Sequence, residues 1–410
     1  MKVLLSAYAC EPSQGSESGL GWGWAEQVAR FHEVWVMTLG EQRQAIESTL
    51  SLHPLSNAHL VYLDLPRWKE ICGTGRLGRH IFYHLWQIAA YFVGRELHRR
   101  ERFDLVHHVT FGCYWRPSLL ALLPVPFIWG PVGGGESAPD TFRSCFSPRG
   151  KLYEILRDIA RKVGECDPFV RRTARRARIG LATTEESASR MRKLGCPKVS
   201  LLSQVGLPEK EIDQLGTFTF RHSNPFRVVS IGRLLHWKGF DLGLRAFARL
   251  RSLFPATEYW IIGDGPERDR LSTLAVSLGV AEAVTFWGAI PRQEALEKLA
   301  ECDVLLHPSL HDSNPTVCLE AMASGRPVIC LDLGGPALQV TNETGIKVPA
   351  TSPEHAATSL AQALCRLASD SALRVRLGQS GRQRVKEHFG WDEKGRFLAA
   401  LYADVVRKTS

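Results

Sequence analysis

Ten cysteines are present, but they form no Cys-x-x-Cys pair and no Cys/His cluster at metal-ligand spacing. That excludes a structural zinc site or a disulfide framework. Cys302, Cys318 and Cys330 fall inside apolar runs, where a free thiol packs as a small hydrophobe, so a reducing, cytoplasmic compartment is expected. No apolar run approaches the ~20 residues of a membrane span. The best candidate, residues 81–94, is interrupted by His84 and Gln87. The opening MKVLLSAYAC has an apolar run of only about seven residues and is read as a buried first strand, not a signal core. After the first strand, where a dinucleotide fingerprint would stand, the glycines at 19, 21 and 23 do not fit Gly-x-Gly-x-x-Gly, which argues against a nicotinamide oxidoreductase. There is no Asp-x-Asp, so no catalytic metal and no cofactor are expected. No nucleic-acid recognition motif stands out, nor does an internal repeat of about 20–50 residues.

What is present is a chain too long for one ordinary core: 410 residues, 44% hydrophobic and 23% charged, composed as a folded two-domain protein. Short apolar runs at 3–8, 34–38, 60–63, 105–109, 127–129 and 180–183 alternate with helical patterns. A second series follows at 227–231, 258–262, 284–287, 304–308 and 327–330, with helical periodicity at 242–253 and 294–300. Strand–helix alternation of this kind predicts parallel βαβ units. The alternation breaks once, in polar QVGLPEKEIDQLGTFTFRHSNP. The expected organisation is therefore α/β throughout: a domain over 1–205, a linker over 206–225, a second domain over 226–390, and a last helix at 391–410 that returns to the first domain. Two Rossmann-like parallel sheets would face one another across a cleft, with ligands beyond the carboxyl ends of the strands.

Three stretches carry chemistry. In SIGRLLHWKGFDLGLRAF a strand ends at Ile231, Gly232 allows a tight exit, and Arg233 and Lys238 follow before a helix, positioned to hold phosphate. In IIGDGPERDRL a strand stops at Gly263 and Asp264 opens a turn. In HPSLHDSNPTVCLEAMASGRPVIC, Asp312 lies in a loop, Thr316 is the expected helix N-cap, and Glu320 lies one turn inside. The positive end of that helix suits an anion and the carboxylate suits vicinal hydroxyls; a sugar nucleotide offers both.

The ordered set Arg233…Lys238, Gly263-Asp264-Gly265-Pro266 and Asp312-x7-Glu320 running into AMASGRPVI resembles the retaining glycosyltransferases of family 4, with the GT-B fold, over residues 226–348. The resemblance implies a metal-independent, retaining hexosyltransferase of polysaccharide or cell-surface glycan synthesis. It implies that Arg233 and Lys238 bind the donor diphosphate, Glu320 the ribose and Asp312 the transferred sugar. The backbone of Gly232, Gly263, Asp264, Ser313, Asn314, Thr316 and Val317 would line the donor. Gly15, in a Gly-rich loop after the first strand, would approach the donor phosphates. A histidine from DLVHHVTFG would lie near the anomeric carbon; either His107 or His108 fits, or both are packed strand-end residues. Two departures stand out: Asp312 replaces the family's usual Glu, and Ser313-Asn314-Pro315 replaces Gly-Phe-Gly, with Pro315 offering no N–H. An epimerase on the same fold, or a non-catalytic sugar-nucleotide binder, is the alternative.

The net charge of +9 is uneven: residues 143–178 hold eleven basic residues against four acidic. With RLGRHIFYHLWQIAAYFVGRELHRRER at 76–102, this basic, aromatic surface suits a lipid-linked or other glycan acceptor and a peripheral contact with an anionic membrane. A core-facing helix with a solvated basic side explains it equally.

Overall fold

The computed structural model describes residues 1–12, 16–73, 75–219 and 224–408; Gly15 lies outside them. Among the described residues the strands form two sheets, one in each of two compact units. The first contains β1 (Lys2–Ser6), β2 (Glu33–Leu39), β3 (Ala58–Leu63), β4 (Leu105–His108), β5 (Phe127–Val132), β6 (Ala177–Ala182) and β7 (Val199–Leu201), in the order β3-β2-β1-β4-β5-β6-β7. The second contains β8 (Phe226–Ile231), β9 (Thr257–Ile262), β10 (Val284–Gly288), β11 (Val304–His307), β12 (Val328–Leu331) and β13 (Gly345–Val348), in the order β10-β9-β8-β11-β12-β13. Strand pairs within both sheets are parallel. The strand order reverses between β1 and β4 in one unit and between β8 and β11 in the other, which is where an open parallel sheet opens a crevice at its carboxyl ends.

The sequences of the central strands explain their place. β1, β11 and β12 are nearly continuous apolar runs with both faces covered, as strands flanked by helices on either side must be; β4 is equally buried but ends in His107 and His108. In the second unit the helices Phe240–Leu253 and Pro353–Ser369 close one face of the sheet through Leu244, Phe247, Leu360 and Leu364, all fully buried. In the first unit, helix Arg76–Glu101 turns Phe82, Tyr83, Trp86 and Ala90 into the core. Its Gln87 accepts from the Leu119 amide, and Ser118 bonds Thr173 of helix Pro168–Arg176, so both helices are fixed to one short segment.

The chain does not divide where its sequence suggests. The first unit is Met1–Gly135, Asp158–Gly206 and everything from Trp391 on; the second is Glu136–Arg157 with Leu207–Gly390. Residues 136–157, assigned from sequence to the first domain, thus pack in the second. From Leu207 on, the segment read as a linker belongs to the second unit, and it contains a helix, Glu209–Gly216, with Ile212 and Leu215 buried. Its polar appearance reflects a single narrow apolar stripe. β7 and β13 are short and half-buried, which is why no apolar run announced them. Helix Trp391–Arg407 packs on helix Ser16–Ala29: Trp24 and Trp391 meet edge to face at 5.1 Å.

One glycine governs the exit from the β8 loop. Gly239 has φ +67°, and a Cβ there would lie 1.9 Å from the Pro308 carbonyl oxygen, so no side chain fits. Gly239→Ala is expected to destabilise the second unit by at least about 1–2 kcal/mol from the backbone term alone. A lower urea midpoint checks this; an unchanged midpoint would contradict it.

Candidate functional site

The carboxyl ends of β8, β9 and β11 bring the three sequence stretches together. After β8, Gly232 donates its amide to Ile262 and Leu234 donates to the Asp264 carbonyl, so the first two exits are stitched to one another. Gly263, at φ +135°, lies so close to Gly232 that a Cβ would meet its carbonyl oxygen at 2.0 Å. The Asp264 side chain is turned into its own loop, accepting from the Gly265 amide at 2.8 Å. It is therefore a turn-forming residue in this structure. Arg233 is exposed, and its side chain has no hydrogen-bond or ion-pair partner among the described residues.

Lys238 is tied to the loop after β11. Its Nζ forms an ion pair with the Asp312 carboxylate, and His307 Nε2 reaches the same oxygen at 3.2 Å. Both side chains of the pair are largely covered. Burial pushes the Asp312 carboxyl up, but the Lys238 charge and the His307 bond more than offset it and hold it well below the usual carboxylate range. His307, fully inside, has its pKa lowered by burial against the pull of Asp312. Next in the loop, Ser313 Oγ donates to Glu136 Oε2 at 2.7 Å.

Pro315, not Thr316, occupies the N-cap of helix Thr316–Ala323, and no side chain caps it. Thr316 is instead the first helical residue, and the amides of Thr316 and Val317 make no hydrogen bond among the described residues. These are two of the orphan donors that a helix start leaves open. Glu320, one turn on, is buried. Arg292 grips it through Nε at 3.0 Å and Nη2 at 2.5 Å, and the same Nη2 pairs with Glu211. Burial raises the Glu320 pKa despite the guanidinium. Nothing in the local sequence singled out Arg292, Glu211, His307 or Glu136; their partners are 28 to 177 residues away or, for His307, across a loop.

In the first unit the two histidines separate. His107 spends both ring nitrogens inside the fold: Nε2 on the Gly130 carbonyl at 2.5 Å and Nδ1 with the Tyr402 hydroxyl at 2.6 Å. Since only Nε2–H can serve a carbonyl, Nδ1 accepts from Tyr402. His108 pairs through Nδ1 with Ser6 Oγ at 3.1 Å, across the β1–β4 switch point, and its Nε2 has no partner among the described residues. Burial lowers the pKa of both, His107 to about 4 and His108 to about 3. Beside them Glu17 accepts from the Gly112 amide at 2.6 Å. Among the described residues no group of three His, Cys, Asp or Glu side chains is arranged to hold a metal ion.

The Asp312 pairing has a pH signature. Its folded pKa is depressed, so its stabilisation is complete above the unfolded value of about 3.9 and is lost as pH falls through the folded value. Asp312→Asn, which strands the Lys238 ammonium, is expected to lower stability at pH 7 by roughly 1–3 kcal/mol. The gap from wild type should narrow in urea titrations taken progressively below about pH 4. A gap that is constant with pH would contradict the assignment.

With this geometry in place, the similarities to known proteins are informative. Residues 218–384 match the family model described as Glycosyl transferases group 1. Over 338 residues, 75% of this chain and 79% of the relative, the chain is 29% identical to the putative colanic acid biosynthesis glycosyltransferase WcaL of Escherichia coli (strain K12). Over 163 residues, 40% of this chain and 45% of the relative, it is 34% identical to the lipopolysaccharide core biosynthesis glycosyltransferase LpsE of Rhizobium meliloti (strain 1021). Anabaena HepE, solved in complex with UDP and glucose, superposes with a TM-score of 0.61 at 17% identity, covering 98% of this chain and all of the other. Two parallel-sheet α/β units built in this way are the GT-B fold, and the stretch similar to the group 1 glycosyltransferase model falls mainly in the second of them.

Proposed function

We propose that the chain is a retaining hexosyltransferase of the family 4 type. It would move a sugar from a nucleotide-diphosphate sugar to a hydroxyl of a glycan or lipid-linked acceptor, in polysaccharide or lipopolysaccharide synthesis. The observation that carries this reading is the meeting of Lys238, exposed Arg233 and the open amides of Thr316 and Val317 at one set of strand ends, with Glu320 one turn further in. The names of WcaL and LpsE support the biosynthetic setting, and UDP with glucose in HepE supports the donor class.

In this reading Glu320 receives the ribose hydroxyls, exchanging part of its contact with Arg292. Arg233, Lys238 and the helix amides receive the diphosphate. The bond between the anomeric carbon and the diphosphate oxygen breaks, and the acceptor oxygen bonds to the same face of that carbon. Its proton passes to the departing phosphate oxygen, so configuration is kept. The negative charge on the leaving group is met by Arg233 and Lys238 in place of a metal; one pre-positioned donor of this kind is typically worth about 2.7–4 kcal/mol. Asp312 faces the transferred sugar; of the two histidines, His107 is fully engaged, whereas His108 keeps a ring nitrogen uncommitted among the described residues.

A thermal-shift panel of UDP-, GDP- and ADP-sugars tests the donor assignment. One nucleotide sugar is expected to stabilise wild type but neither Arg233→Ala nor Glu320→Gln. Lys238→Ala should lower kcat by about 10²–10³-fold. No response to any sugar nucleotide would sink the reading.

We further assign the chain to the cytoplasmic face of an anionic membrane. No described helix is long and apolar enough to cross one. Helix Arg76–Glu101 instead carries an outward stripe, Ile81, Ile88 and Phe92, running into Arg95 and Arg99, with Arg95 over the Phe92 ring at 5.7 Å. Exposed Arg171, Arg172, Arg175 and Arg176 lie on helix Pro168–Arg176, anchored to the same segment. An apolar stripe ending in arginines matches acyl chains below anionic headgroups. Co-sedimentation with phosphatidylglycerol vesicles should exceed that with phosphatidylcholine and fall in an Ile88→Asp, Phe92→Asp double variant. Equal binding by variant and wild type would exclude this surface.

A further inference from the structure

Residues 136–157 carry no recognisable motif, yet in the second unit they hold both donor loops. Glu154, almost completely enclosed, accepts from His236 Nε2 and from His311 Nε2, each at 3.0 Å and each on the same oxygen, Oε1. His236 stands two residues before Lys238, and His311 stands immediately before Asp312. The Trp237 ring is sandwiched between Tyr153 and His311, with centroids 5.0 Å away on both sides and interplanar angles of 18° and 17°. Gly150 sits so close to His236 that a Cβ would lie 2.9 Å from its ring. At the start of the same segment, Glu136 holds Ser313 on the far side of Asp312.

A buried carboxylate is an expensive way to join two loops unless its charge is used. Burial pushes the Glu154 carboxyl up, but the bonds from His236 and His311 more than offset this and keep it ionised, well below the usual carboxylate range. It therefore accepts charge-assisted hydrogen bonds, stronger and more directional than neutral ones. Its two hydrogen-bond donors come from the β8 and β11 exits, the strands on either side of the switch point, while Arg157 of its own helix lies 3.7 Å from the other oxygen. The structure thus has one anchor common to the loop of Lys238 and the loop of Asp312, separate from the ion pair between them.

We propose that Glu154 is a positioning residue of the donor site: through His236 and His311 it sets the separation of Lys238 and Asp312 when the diphosphate draws Lys238 off its carboxylate partner. This rests on the reading of residues 233–320 as a nucleotide-sugar site. Glu154 touches no part of the donor. Its influence falls on the diphosphate–sugar half, because Glu320, at the nucleoside half, is held independently by Arg292.

The test is calorimetry on the full chain with the nucleoside monophosphate, nucleoside diphosphate and nucleotide sugar of the base that wild type accepts, together with kcat and KM for donor turnover. In Glu154→Ala, affinity for the diphosphate and the nucleotide sugar should fall about tenfold or more and kcat should drop, while monophosphate affinity changes less than about twofold. Glu154→Gln, whose amide oxygen still accepts both N–H groups, should lie between wild type and Glu154→Ala. Adding His311→Asn to Glu154→Ala should cost little more, since the Glu154–His311 bond is already lost in Glu154→Ala. If Glu154→Ala does not fold, Glu154→Gln and His311→Asn carry the same comparison. Equal loss of all three ligands would mean a merely structural cluster and overturn the proposal, as would wild-type binding in every variant. Wild type that binds none of the three would instead overturn the functional reading, and this inference with it.

Discussion

An ammonium that is mostly withdrawn from water needs a counter-charge, and the donor-side architecture follows from where Lys238 finds one. In the free chain it is Asp312, itself steadied by His307. The pair keeps two loops from separate strands at a fixed spacing without leaving a bare charge in a covered place, a state that is costly for either partner alone. In the proposed reading, an arriving diphosphate offers Lys238 a second and more highly charged partner. The site therefore exchanges one neutralised arrangement for another, with donors already in position, which is the condition under which electrostatic stabilisation of a leaving group is strongest. Arg233 differs: it is exposed and uncommitted among the described residues, and so is free to follow the ligand.

The rest of the second unit serves this spacing. The parallel sheet places β8 beside β11, so their exits emerge as neighbours although Ile231 and His307 are 76 positions apart in the chain. Gly239 and Gly263 let backbone pass where a side chain would collide. Helix Thr316–Ala323 starts behind a proline that leaves its first amides open, and Arg292 links the Glu320 carboxylate to Glu211 of helix Glu209–Gly216. Glu154 and Glu136, from a distant stretch of chain, close the arrangement on its other side.

Much of this was legible in the sequence, and the physical reason is periodicity. Central parallel strands must be apolar on both faces, so β1, β8, β9 and β11 stand out as runs, and the residues just past them are at the rim by construction. That reasoning points to Arg233, Lys238 and Asp312, and helix spacing from Thr316 points to Glu320. The misses have equally physical causes. β7 and β13 are short and partly exposed, so no run marks them. Helix Glu209–Gly216 shows water a mostly polar surface and was read as a linker. Thr316 was assigned the N-cap because its hydroxyl suits that role, but Pro315 precedes it in extended conformation and takes the position. His107 and His108 are adjacent letters with opposite facings; only packing shows that one is bound to Tyr402 and Gly130 while the other keeps a nitrogen uncommitted. The placement of residues 136–157, and hence Glu154, is a tertiary fact that no local pattern encodes.

The most direct measurement is an experimental structure of the chain with the nucleoside diphosphate of its donor bound. The account predicts pyrophosphate oxygens within about 2.7–3.2 Å of Lys238 Nζ and of the Thr316 and Val317 amides, with Lys238 turned from Asp312 and the ribose hydroxyls on Glu320. A diphosphate bound away from these groups, with Lys238 still on Asp312, would contradict it.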